Sequence, residues 1–121
     1  MPFFQLHKKM QTGLFQIAMI SWGCWYKDPS YNLEIFSSKD KVMNTTKWED
    51  EYFNQLLDEA KVTADKSERE KKYIKAEKHL LKHMPVIPLL QKKGYHLKQD
   101  NLKNVFISNL DEIDFKEAYF A

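Results

Sequence analysis

The chain has 121 residues, enough for one domain or part of one, and its net charge of +2 is too small to indicate nucleic acid or an anionic membrane as a partner. Hydrophobic residues make up 43% and charged residues 30% of the sequence, a balance that predicts a packed core and excludes an intrinsically disordered chain. No apolar run reaches the roughly 18 residues expected of a membrane span, so we expect no direct membrane span.

The amino terminus lacks the order of a secretion signal. The apolar residues of Met1–Leu6 come before the basic residues Lys8 and Lys9, whereas a signal peptide begins with basic residues and continues with apolar ones. As written, the sequence therefore predicts no export signal, which leaves the location of this chain unknown or cytoplasmic. Cys24 is the only cysteine, so it cannot form an internal disulfide that would indicate the redox compartment.

The first predicted element is a strand. Leu14–Trp22 is mostly apolar and lies between Gly13 and Gly23. This pattern is typical of a strand covered on both faces, as in a parallel or mixed sheet.

A short helix is predicted next, at Asp28-Pro29. An acidic cap followed by proline at the first helical position is a helix-start signal, and the helix would carry Leu33 and Phe36 inward. The polar stretch Lys39–Thr46 that follows predicts a surface loop.

Two longer helices have clearer signals. The first, from about Asp50 to Val62, has an apolar face formed by Phe53, Leu56, Leu57 and Ala60. The second begins near Asp65, with Glu68 at capping-box spacing, and ends at Pro85. We expect it to bury Tyr73, Ala76, Leu80, Leu81 and Met84.

The remainder predicts short strands. Val86–Gln91 and Lys93–Leu97 are the stronger candidates, and Val105–Ile107 and Phe115–Phe120 are weaker ones. The chain is therefore predicted to be α/β, in the sense of a mixed α+β fold, with terminal strands whose partners lie outside the sequence.

The order of these elements resembles the carboxy-terminal region of the family 5 extracellular solute-binding proteins, which are oligopeptide- and dipeptide-binding receptors. The resemblance begins with Thr12–Ala18, Ser21-Trp22 and Tyr26–Pro29, which match the family's glycine, hydrophobic strand, tryptophan and acid-proline. It continues in the family's order through the segments Trp48–Leu57, Arg69–Leu81 and Met84–Leu89.

The resemblance implies a fold and a set of partners. The fold is a partial carboxy-terminal lobe of a type II periplasmic-binding-protein-like structure, with residues 1–104 ending the second lobe and residues 105–121 returning to the first lobe. The parent receptor would bind a peptide ligand, dock on the membrane subunits of an ABC importer, and be periplasmic or cell-surface. Because a cleft needs two lobes, we expect this chain to be a fragment that cannot bind ligand alone.

The resemblance also implies site residues. Main-chain groups of Ser21 and Gly23 would pair with the ligand backbone, and Trp22 would form the wall of a side-chain pocket. Trp25 stands at the family's aspartate position, which holds the ligand's amino terminus. Met19 stands where some members carry an arginine. The sequence therefore predicts a parent that binds something other than a free-amino peptide, or that no longer binds.

Other interpretations of the aromatic segment stay open. Trp22 is equally well explained as a core residue at the end of a strand. A small intracellular interaction domain that uses Trp22–Tyr31 against a protein partner is the alternative function, and it predicts a closed core that buries the carboxy-terminal strands. Cys24 has no histidine near it in sequence, so we interpret it as an unreactive cysteine rather than a nucleophile.

The longest helix has two further patterns. His79 and His83 have the i, i+4 spacing of metal ligands, but the glutamate of a zinc protease motif is missing and lysines flank the pair, so a solvated face is favoured and no metal is expected. Lysines alternate with glutamates, and pairs such as Glu68–Lys72 favour a structural explanation over a nucleic-acid footprint. With no cofactor loop and no acid-base pair, we expect no cofactor and no enzyme activity.

Overall fold

The computed structural model describes all of residues 1–121. The chain forms two compact units, Met1–Ile87 and Pro88–Ala121. The first unit holds four α-helices and a 3₁₀ helix at Glu34–Ser37. The α-helices are α1 (Phe3–Gln11), α2 (Ser30–Leu33), α3 (Glu51–Val62) and α4 (Lys66–His83). The second unit holds four two-residue strands. The mixed α+β class is confirmed, whereas the predicted lobe boundary between residues 104 and 105 stays a prediction about a larger receptor.

The core of the first unit lies between α3 and α4. Both helices pack their apolar faces together, as the 3.6-residue spacing predicts. The buried cluster consists of Leu33, Phe53, Leu56, Leu57, Ala60, Tyr73, Ala76 and Leu80, and Phe36, Trp48 and Val86 pack against it. The predicted inward faces are therefore confirmed for α3, for most of α4 and for Leu33 and Phe36.

Both helices begin at an aspartate. The carboxylate of Asp50 accepts the backbone N–H of Phe53 at 2.8 Å, and that of Asp65 accepts the N–H of Glu68 at 2.8 Å. These bonds satisfy backbone donors that have no partner within the helix. Only this half of the predicted capping box forms, because the Glu68 side chain pairs with Lys71 instead.

The end of α4 explains one wrong prediction. Met84 was expected to be buried, but its side chain is exposed. Its φ of 54° is left-handed, and its backbone N–H donates to the carbonyl of Leu80 as a helix cap. The turn carries the Met84 side chain away from the buried face, and Pro85 prevents the helix from continuing.

Asp28 holds the start of the short helix α2, although the helix begins at Ser30 and Pro29 precedes it rather than forming its predicted first residue. Its carboxylate accepts the backbone N–H of Ser30 at 2.9 Å, and hydrogen bonds from the Ser30 side chain and backbone lower its pKa below the ordinary 3.8. Because the folded-state pKa is depressed, the charge stabilises the fold at higher pH, and this stabilisation is lost as the pH falls through the lowered pKa.

We therefore expect Asp28→Asn, which keeps the capping oxygen but not the charge, to lower the free energy of unfolding at pH 6. The loss should stay within about 1 kcal/mol, the typical contribution of a cap. The difference should shrink below pH 3.8 as Asp28 becomes protonated in the native protein. Urea unfolding of the unaltered protein and of Asp28→Asn, repeated from pH 6 to below pH 3.8, measures this difference in the free energy of unfolding. A difference that stays constant throughout the acid range would contradict this account.

The polar stretch predicted as a surface loop contains a fully buried residue. The side chain of Asn44 has no exposed surface, and it donates hydrogen bonds to the carbonyls of Ser38 at 2.9 Å and Trp48 at 2.8 Å. Asn44 therefore ties together the segment that leads into α3.

The strand predictions are wrong for the longest apolar segments. Leu14–Trp22, Val86–Gln91 and Lys93–Leu97 contain no strand. A strand requires hydrogen bonds to a neighbouring strand, and none of these segments has one in this chain. Hydrophobic composition alone therefore does not place them in a sheet.

The second unit forms two small antiparallel pairs. Strand β1 (Leu102–Lys103) pairs with β4 (Tyr119–Phe120), and β2 (Phe106–Ile107) pairs with β3 (Ile113–Asp114). The two weaker strand candidates thus contain strands, and the expectation that the terminal strands lack local partners is wrong. Each pair is only two residues long, and most of its apolar side chains remain exposed.

Candidate functional site

The main candidate site is the largely exposed run Leu14–Tyr26, which lies outside any helix or strand and which we call the apolar segment. The exposed fraction is 94% for Ile17 and 83% for Trp25. Backbone groups of Phe15–Trp25 make no hydrogen bonds within the chain. The segment therefore presents both apolar side chains and free backbone donors and acceptors.

The predicted site residues all lie in the second half of this segment. Ser21, Gly23 and Trp25 are exposed, and Trp22 is 38% exposed and takes no part in the buried core. A side-chain carbon added at Gly23 would meet nothing within 4 Å, so the backbone there is open to an approaching chain. The geometry does not favour core packing as the explanation of Trp22.

The aromatic end of the segment is held by α2. The ring of Tyr26 meets that of Tyr31 edge-to-face, with centroids 4.9 Å apart. The amide of Asn32 donates to Cys24 Sγ at 3.2 Å. An amide cannot serve as the general base that a nucleophilic thiol needs, so this contact gives no support to catalysis by Cys24.

The apolar segment contains no charged side chain. Trp25 and Met19, which stand where the resemblance in sequence implies charged anchors, are both exposed, at 83% and 77%. Asp28, the nearest acid in sequence, already accepts the Ser30 N–H. The segment is therefore suited to apolar and backbone contacts rather than to ion pairing.

Comparison with curated proteins identifies relatives over most of this chain. It is 32% identical over 112 residues to the oligopeptide-binding protein OppA of Bacillus subtilis, which covers 93% of the chain. It is 27% identical to the peptide transport periplasmic protein SapA of Haemophilus influenzae, over 98% of the chain. It is 32% identical to the dipeptide-binding protein DppE of Bacillus subtilis, over 86%.

The chain is similar to known peptide-binding proteins over most of its own length. The resemblance seen in its motifs is thus confirmed. The chain spans only about a fifth of the length of these relatives, at 21%, 22% and 19%. No family model matches the chain, and none of its helices combines the length and apolar character needed to traverse a membrane.

Three of the six lysines of α4, Lys66, Lys71 and Lys72, form ion pairs with glutamates. Lys71 lies 2.7 Å from Glu68 on the same helix, and Lys72 lies 3.0 Å from Glu59 on α3. The predicted Glu68–Lys72 pair is therefore wrong, because Lys72 reaches across to the neighbouring helix. The structural explanation of these lysines is supported, since their charges do not form an uninterrupted basic surface.

A second cluster was not predicted from the sequence. Asp50, His79 and His83 each offer a ligand atom, and these atoms all lie within 4.8 Å of one another. Hydrogen bonds from the Phe53 backbone and then from His79 lower the pKa of Asp50. The i, i+4 histidine pair was visible in the sequence, but Asp50 lies 29 residues before His79 and gave no signal.

Proposed function

We propose that this chain is part of the receptor of a peptide importer, where it forms a portion of one wall of the ligand cleft and does not bind peptide alone. The observation that carries the proposal is the apolar segment, largely exposed and without backbone hydrogen bonds from Phe15 to Trp25, in a relative of peptide-binding proteins. The role is binding rather than catalysis. The partners are a peptide and the membrane subunits of an ABC importer, and the receptor works in the periplasm or at the cell surface.

The backbone of the apolar segment suits an extended ligand. Free N–H and C=O groups at Ser21 and Gly23 can pair with a peptide main chain as an added strand would, which gives affinity without sequence specificity. Trp22 and Trp25 would then contact ligand side chains. A large aromatic wall discriminates only modestly between apolar groups, which fits a receptor with a broad peptide range.

The lack of charged side chains in the apolar segment predicts which ligands bind poorly. An ammonium group buried in a closed cleft is costly unless a carboxylate pairs with it, and no carboxylate lies between Leu14 and Tyr26. We therefore propose that the parent receptor binds ligands without a free amino terminus, or binds peptides weakly. This prediction rests on Trp25, which stands where the family has the aspartate that holds the ligand's amino terminus.

The experiment uses a chimera in which this chain replaces the matched segment of Bacillus subtilis OppA. Calorimetry with a free-amino tetrapeptide should detect at most weak binding, and Trp25→Asp should strengthen it by about tenfold or more, as expected for a desolvated charge pair. Trp25→Asn is the matched control, because it changes size and polarity without adding charge. N-acetylation of the peptide should abolish the gain.

Two results would overturn this proposal. One is micromolar binding of free-amino peptides by the unmodified chimera that disappears on N-acetylation, since Trp25 would then not prevent anchoring. The other is comparable binding by the 121-residue chain alone, since that chain would then contain a complete site.

The alternative of an intracellular interaction domain is not favoured. It requires a closed core that buries the carboxy-terminal strands, yet Phe106 is 65% and Phe120 is 69% exposed. These apolar side chains instead need another surface to cover them, as expected for part of a larger fold.

A further inference from the structure

The cluster of Asp50, His79 and His83 joins the start of α3 to the last turns of α4. Asp50 Oδ1 lies 2.8 Å from His79 Nε2, and His83 lies one helical turn beyond His79 on the same face. We propose that these three side chains bind a divalent transition metal ion, with Zn²⁺ as the representative ion. Neither the relatives' names nor the proposed peptide site includes such a centre.

The hydrogen bond made by the His83 ring supports a ligand role. Its Nδ1 lies 3.0 Å from the carbonyl oxygen of His79, which can only accept a hydrogen bond, so Nδ1 carries the proton. The other ring nitrogen, Nε2, then keeps its lone pair. A metal-bound histidine ordinarily has this arrangement, with one nitrogen on the metal and the other donating to a carbonyl or carboxylate.

His79 and Asp50 form the other side of the site. In the metal-free protein the Nε2–H of His79 donates to Asp50 Oδ1. Zn²⁺ would replace this proton and bridge the same two atoms, with release of the proton to solvent. Ligand atoms of a tetrahedral zinc site lie roughly 3.4 Å apart, so small side-chain rotations would bring the three groups into range.

The surroundings hold the ligands in place. Asp50 is fixed by its hydrogen bond from Phe53, and His79 packs edge-to-face on Tyr52 with ring centroids 5.0 Å apart. The ring of His83 lies 5.8 Å from that of Trp48. With only 21% of the His79 side chain and 26% of the Asp50 side chain exposed, the site is half-buried at the α3–α4 contact.

The donor set selects the class of ion. Two imidazoles and one carboxylate suit Zn²⁺ and its neighbours, whereas Ca²⁺ and Mg²⁺ require oxygen ligands. Three protein ligands leave a coordination position for water or for a further ligand. Lys78 and Lys82 weaken cation binding by repulsion, but both are exposed and their charges are screened by solvent and salt.

Calorimetry of the untagged full chain, stripped with EDTA and titrated with ZnCl₂, tests the proposal. We expect one ion per chain, a dissociation constant on the order of 1–10 μM, and a rise in Tm on saturation. His83→Gln and Asp50→Asn should each weaken binding by about tenfold or more. Asparagine remains a good helix cap and His83 is exposed, so both variants should keep their helical circular dichroism.

His96→Gln and His7→Gln are the matched controls, because they remove an imidazole elsewhere in the chain. They should bind Zn²⁺ as the unaltered chain does. The proposal is overturned by the absence of binding at 100 μM Zn²⁺, by unchanged affinity in His83→Gln, or by an equal loss in a control variant. Should Asp50→Asn lose its helicity, the affinity of His83→Gln decides alone.

Discussion

Leu57→Ala should lower the free energy of unfolding of this chain by about 3 kcal/mol. Leu57 is 1% exposed and lies within the buried cluster between α3 and α4. Its truncation removes apolar contacts and leaves a cavity that two packed helices can only partly close. Because a fold of this size has only a small net stability, such a loss should move the unfolding transition substantially. Urea unfolding followed by far-UV circular dichroism measures it.

The matched control for this substitution lies on the same helix. Val62 is 85% exposed at the end of α3, so Val62→Ala should change the free energy of unfolding by less than about 0.5 kcal/mol. Equal effects of the two substitutions would show that α3 does not pack on α4 through the face that contains Leu57.

The sequence predicts the helical hairpin well because its signals are local. Apolar residues at helical spacing identify the buried faces of α3 and α4, and Asp50 and Asp65 place their first turns within a residue or two. Pro85 predicts where α4 ends, because proline cannot continue a helix. Each of these signals acts within about one helical turn, so no distant part of the chain is needed to interpret it.

The strands were predicted poorly because a strand depends on a distant partner. Leu14–Trp22 has the composition of a buried strand, but composition cannot supply the neighbouring strand that its backbone requires. The short pair formed by Leu102–Lys103 and Tyr119–Phe120 joins segments far apart in sequence, and its register could not be deduced from either segment.

The candidate functional residues could likewise be predicted only in part from the sequence. Ser21 and Trp22 were named through a resemblance to whole receptors, and the structure adds that they lie in an exposed segment with unpaired backbone. The approach of Asp50 to His79 depends on how α3 packs on α4. The sequence shows the spacing of His79 and His83 on one helix, but only tertiary packing brings the carboxylate to them.

Asn44 is the other residue whose importance only the fold reveals. It lies in a polar stretch that looks like an exposed loop, yet its side chain is completely buried. Its amide nitrogen donates to two backbone carbonyls, and its oxygen accepts the hydroxyl of Thr46 at 2.7 Å. The carbonyls belong to Ser38 and Trp48, so one side chain fixes the loop against the start of α3.

We expect Asn44→Ala to lower the free energy of unfolding by about 2–4 kcal/mol, since each buried polar group left without a partner costs about 1–3 kcal/mol. Asn44→Asp should be equally damaging, because a carboxylate cannot donate to either carbonyl and adds a buried charge. Asn32→Ala is the matched control. Asn32 is exposed and its only side-chain hydrogen bonds are with Cys24, so its loss should cost less than about 0.5 kcal/mol.

Urea unfolding of the three variants separates the two explanations of this loop. If Asn44→Ala costs no more than Asn32→Ala, the carbonyls of Ser38 and Trp48 find water instead, and the stretch is the mobile surface loop that its composition suggests. If Asn44→Ala is costly and Asn44→Asp is not, the side chain matters for its acceptor oxygen rather than for its donors. Only a large loss in both variants fits a residue whose two N–H groups hold the loop closed.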